Sequence, residues 1–160
     1  MKGRVIKMAT QNVRKLWQYS VLVSCLFLFL TSCGNDNNEE TPNIPKEPGI
    51  FILGVSPYGS SVGSVWGVVN GYSSSDYGVA VYIFVRGGWW TKPYWSIPVT
   101  TIEDDGSWNC DIVTGGVDEE ATEVRAYLIP LSYDPPSTGG DSSLPAELEQ
   151  NAVEWKSITR

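Results

Sequence analysis

From residue 49 onward, apolar residues come in short runs punctuated by Gly, Pro, Asn and Asp. Runs of this length, bounded by turn formers, predict β-strands. Residues 50–55 form one such run. Residues 65–70 form a second, ending at the turn signal Asn70-Gly71. Residues 79–85 are apolar at all seven positions and stop at Arg86-Gly87-Gly88. A strand with no polar side must be covered on both faces, which marks it as central. Residues 100–102 and 107–113 read as a hairpin turning at Asp105-Gly106. In its return strand Trp108, Cys110 and Ile112 share one face, so Cys110 is expected to be a buried free thiol. Thr114-Gly115-Gly116 is a turn. Residues 122–129 alternate, with Val124, Ala126 and Leu128 on one side, and residues 153–159 give a last strand. Only residues 145–152 offer a helical stretch, one or two turns beginning at Pro145.

Seven to eight short strands in the 112 residues from 49 to 160 predict a single antiparallel β-sandwich of immunoglobulin-like type. No Cys-Trp-Cys pin is present, so an antibody-type domain is not expected. A small barrel is the alternative.

The N-terminus follows different rules. Residues 1–19 carry five bases and no acid, and residues 21–30 are a ten-residue apolar run. A membrane-spanning helix needs about 20 apolar residues, so this run fits a cleaved secretory signal instead. It ends in Leu30-Thr31-Ser32-Cys33, which resembles the bacterial lipoprotein signal. The resemblance implies cleavage after residue 32, acylation (palmitate among the chains) at Cys33 and attachment to a membrane through that lipid. Cys25, inside the run, is a small hydrophobe discarded with it. The polar, acidic run Gly34-Asn35-Asp36-Asn37-Asn38-Glu39-Glu40 resembles the export signal of Bacteroidetes surface lipoproteins, implying an outer-membrane protein exposed at the cell surface. Residues 33–48 hold three prolines and one aliphatic side chain, Ile44. Too little apolar surface is available to offset chain entropy, so a disordered or extended tether is expected, reaching on the order of 45 Å at about 3.1 Å per residue.

Charge narrows the function. From Cys33 on there are 6 bases and 18 acids, a balance of −12. Such a body repels phosphate backbones, so no nucleic-acid partner is expected. The chain has no His, which removes Ser-His-Asp and Cys-His catalysis and His-ligated metals. Two acidic groups remain, Glu103-Asp104-Asp105 and Asp118-Glu119-Glu120 with Glu123. A glycosidase needs two carboxyls roughly 5 to 9.5 Å apart, one of them buried. Both groups read as solvated, so no enzyme is expected. Glu103-Asp104-Asp105-Gly106 also lacks the alternating spacing of a helix-loop-helix calcium loop. No cofactor or metal is assigned, although a structural calcium in the loops stays open.

The segment that carries chemistry is Gly87-Gly88-Trp89-Trp90-Thr91-Lys92-Pro93-Tyr94-Trp95, with four aromatic rings in nine residues. Adjacent strand residues face opposite sides, so Trp89 and Trp90 cannot both point into one sandwich interior. An indole facing solvent matches the apolar C–H face of a pyranose. Trp89, Trp90, Tyr94 and Trp95 are therefore the expected ligand contacts, with Arg86, Lys92 and nearby Asp or Asn as hydroxyl partners. The competing expectation is that the tryptophans plug the core. Tyr133, at the start of a long Gly- and Pro-containing link, is a further contact candidate.

Residues 79–83, 88–95, Asp105-Gly106-Ser107-Trp108, 114–118 and Ala121-Thr122 together resemble an accessory β-sandwich module found with bacterial glycoside hydrolases and surface lipoproteins. The resemblance spans residues 64–160 and implies a carbohydrate setting by association. With no catalytic domain attached, the implied role is a free-standing polysaccharide binder. The alternative is a protein-interaction or adhesin module of a surface complex.

Overall fold

The computed structural model describes residues 45–160; the predicted signal, Cys33 and the tether to residue 44 lie outside the described residues. The strands are β1 (Gly49–Val55), β2 (Ser64–Asn70), β3 (Tyr77–Val85), β4 (Gly88–Lys92), β5 (Val99–Thr100), β6 (Ser107–Asp111), β7 (Glu123–Pro130), β8 (Gly139–Asp141) and β9 (Glu154–Thr159). A 3-10 turn covers Asp118–Glu120, and α1 covers Ala146–Asn151. The extra strand over the expected eight is β8, whose three residues leave no alternation to read.

Two antiparallel sheets pack face to face. One has the order β1-β2-β6; the other runs β8-β4-β3-β7-β9, with β5 also on β3. The sets β1-β2-β6 and β4-β3-β7-β9 correspond to strands A-B-E and C′-C-F-G of an immunoglobulin-like sandwich. β7 pairs with β3 along one side from Tyr77↔Pro130 to Phe84↔Glu123. β4 and β5 share the opposite side.

β3 is central because it serves two cores. Val79, Val81, Ile83 and Val85 join Ile50, Val65, Trp108, Cys110, Ile112 and Leu128 between the sheets. Ala80 and Tyr82 point outward and are covered by Leu148 of α1, beside Tyr127 and Ile129. The Tyr82 hydroxyl donates to the Pro136 carbonyl at 2.8 Å, tying the β7–β9 link across this face. Each buried Val, Ile or Leu contributes about 1.5–3 kcal/mol, which is why a run without polar positions is stable here.

The Asp105-Gly106 turn forms as expected, with Gly106 N–H on the Glu103 carbonyl at 2.9 Å. Gly106 has φ +84, and a Cβ there would lie 2.5 Å from the Val69 carbonyl oxygen. The strands around it, however, do not form a hairpin. β5 belongs to the larger sheet and β6 pairs with β2. Buried Ile102 explains the difference: it sinks between the sheets and carries the chain from one to the other.

Candidate functional site

The four-ring segment divides. Trp89 and Trp90 lie in β4 and face opposite sides, as the alternation requires. Trp89 points to the outer face, 5% exposed, with its ring 5.1 Å from Phe84 and 4.6 Å from the Arg125 guanidinium. Trp90 packs half-buried against the inner core. Trp89 is enclosed and not available as a ligand platform, which corrects that part of the expectation, whereas Trp90 keeps part of its ring exposed along a cavity of about 270 Å³ shared with Thr114 and Asp118.

After β4 the chain passes a cis Lys92–Pro93 peptide and turns, with Ile97 N–H donating to the Tyr94 carbonyl at 3.0 Å. This turn throws Tyr94 and Trp95 outward, 54% and 60% exposed. Trp95 is nonetheless held: its indole N–H donates to the Thr138 carbonyl at 3.1 Å. Its ring sits over Gly139, where a Cβ would come within 2.9 Å of the indole. Thr138 is itself pinned, its N–H on the Thr91 hydroxyl at 2.9 Å.

The predicted polar partners are elsewhere. Lys92 is buried, and its ammonium donates to Asp118 and to the Thr114 hydroxyl. The same Asp118 oxygen accepts from Thr114 N–H (2.9 Å) and Gly115 N–H (3.1 Å). Asp118 is therefore a buried anchor rather than one of a solvated acidic group. Arg86 sits in the β3–β4 turn, at the opposite end of β4 from Trp95, and forks onto Glu120 at 2.6 and 2.7 Å. That pair holds the Glu120 carboxyl below its ordinary pKa. Tyr133 is half-buried against the outer core, its hydroxyl enclosed. Lys92 and Tyr133 are thus committed to contacts within the fold, whereas the Arg86 side chain, 63% exposed, holds a surface ion pair.

Two exposed indoles were not anticipated. Trp155 in β9, 38% exposed, stacks on Tyr127 with ring centres 5.8 Å apart. Trp66 in β2, 42% exposed, faces away from the core. The signal was present in the alternation: Val65 is fully buried, so Trp66 must point the other way. Trp66 rests on Gly54, where a Cβ would lie 2.3 Å from its ring.

Trp66 lines an open groove of about 810 Å³. Pro93 and Ile97 of the aromatic loop form one wall, and β6 forms another, with exposed Asn109 and Asp111. Glu103 and Asp105 stand at the β6 turn. Asp105 accepts the Ser107 N–H at 2.9 Å, and hydrogen bonding to Ser107 lowers its pKa. Cys110, also along this groove, is 1% exposed, and burial pushes its thiol up to about 12.

Among the described residues no cluster of three or more His, Cys, Asp or Glu is placed to hold a metal ion, and no helix is long and apolar enough to cross a membrane. Comparison with protein-family models, curated proteins and solved structures finds no match for this chain.

Proposed function

We propose that this protein is a non-catalytic polysaccharide binder, held at the bacterial cell surface through lipid on Cys33. The observation that carries the reading is Trp95: 60% exposed, yet fixed by its bond to Thr138. A large apolar ring left wet costs free energy unless something covers it, and a ring already immobilised loses little entropy when a ligand arrives. With Tyr94 beside it in the chain, it offers two aromatic faces to sugar rings. The lipid anchor and surface location rest on the Leu30-Thr31-Ser32-Cys33 sequence and the acidic run after it.

Binding by single sites of this kind is weak, and many copies on one surface raise it through avidity. Native electrophoresis of the full-length protein through gels holding soluble plant and host polysaccharides tests the reading. Retardation by at least one polymer is expected; free migration of the folded protein through all of them contradicts it.

One observation favours a protein partner instead. Among the described residues β6 pairs only with β2, and an open strand edge accepts an added strand.

A further inference from the structure

We infer that the groove between β6 and the aromatic loop takes a glycan chain without carboxylate or sulfate groups; this rests on the polysaccharide-binding reading above.

The groove has the two components that sugar recognition requires. Its apolar component is Trp66, whose ring is seated on Gly54 as that of Trp95 is seated on Gly139. In both cases a glycine lets the indole lie against backbone, and the ring stays substantially exposed. Pro93 and Ile97, which flank Tyr94 and Trp95 in the chain, join this groove to the platform.

Its polar component is acidic. Glu103, Asp105 and Asp111 line the groove, Asn109 lies among them, and no Lys or Arg does. Of the bases expected beside the aromatic segment, Lys92 is buried on Asp118, and Arg86 lies at the far end of β4, paired with Glu120 and outside the groove lining. Carboxylates accept hydrogen bonds from sugar hydroxyls, and the Asn109 amide both donates and accepts. A uronate or sulfate in this space would meet the like charges of Glu103, Asp105 and Asp111, with no cation in the lining to pair it.

The alternative occupant, a basic peptide adding to β6, has little edge to use. Ser107 already spends its N–H on Asp105 and its carbonyl on the Glu103 N–H. Only Asn109 and Asp111 follow it with the same outward orientation in this five-residue strand, so the free edge is short.

The test is native affinity electrophoresis of the full-length protein in neutral detergent, through gels holding hydroxyethyl cellulose, galactomannan, polygalacturonate or heparin. Retardation is expected from at least one of the two neutral polymers and from neither polyanion. Trp66→Ala should weaken apparent affinity for the neutral polymer at least tenfold, and Asn109→Ala, on the exposed side of β6, at least threefold. Retardation by polygalacturonate or heparin overturns the groove assignment. So does wild-type affinity in both Trp66→Ala and Asn109→Ala alongside lost binding in Trp95→Ala, and both results leave the Trp95 platform standing. No retardation in any gel overturns the platform and the groove together. An arginine-rich peptide bound by the same protein would then assign the groove to a protein partner.

Discussion

Trp95 and Gly139 are matched: the indole lies where any side chain at 139 would stand, and its N–H is bonded to the carbonyl of the preceding residue, Thr138. The β7–β9 link therefore sets the position of a ring that belongs to the β4–β5 loop. Gly139→Ala would place a Cβ 2.9 Å from the ring and push it off its seat. The displaced group is the exposed end of a side chain, so little stability should be lost. Melting temperature within about 2 °C of wild type, with polysaccharide affinity reduced at least fivefold, is the expected pair of results.

The Lys92–Asp118 pair should dominate the stability of the loop end. Asp118→Ala leaves a buried ammonium unpaired and also deprives Thr114 and Gly115 N–H of their acceptor. Removing one partner of a buried pair costs about 3–5 kcal/mol. Lys92→Met should cost less, because Asp118 keeps its backbone donors. Urea denaturation of both variants checks the order; equal losses, or a change under about 1 kcal/mol in Asp118→Ala, would contradict it.

Much of this fold could be read along the chain, and its failures have physical causes. The unbroken apolar run of residues 79–85 marked β3 as central because it lies under a core on each side. The parity of Trp108, Cys110 and Ile112 located a buried face correctly. The hairpin across Asp105-Gly106 failed because a turn fixes only local geometry, whereas partner choice was decided by Ile102 dropping between the sheets. In the aromatic segment, alternation separated Trp89 from Trp90, but it did not reveal that α1 and its link cover part of the outer face, leaving Trp89 enclosed. Lys92 misled for a related reason. Its partner Asp118 is 26 positions away, and no local pattern announces a buried ion pair of that separation.

Cys110 supplies a reactivity test. A thiol raised to about 12 by burial is almost wholly protonated at pH 8, and the thiolate is the reactive form. Iodoacetamide at pH 8 should leave Cys110 unmodified in the native protein and modify it fully in urea, as read by peptide mass mapping. Modification at comparable rates in both states would show that the sandwich opens along β6.

Stability should vary with pH in one direction only. Asp105, Glu120 and Glu154 have folded pKa values below their ordinary ones, through hydrogen bonds with Ser107, Arg86 and Lys156 respectively. Groups of this kind stabilise the fold above their unfolded values, about 4, and that contribution disappears as pH falls through the folded values. With no His in the chain, little should titrate between pH 7 and pH 5. The urea midpoint should therefore be flat from pH 7 to 5 and drop below about pH 4; a rise in stability toward pH 3 would contradict the assignment.

The claim that two ring faces are held out for a glycan is tested most directly by hydroxyl-radical footprinting of the full-length protein, read residue by residue with and without a soluble neutral polysaccharide. Tyr94 and Trp95 should be oxidised readily in the free protein and become protected when the polymer is added, while Trp89 stays unreactive throughout. Unchanged oxidation of Tyr94 and Trp95 with hydroxyethyl cellulose or galactomannan present, or resistance of both rings in the free protein, would contradict the account.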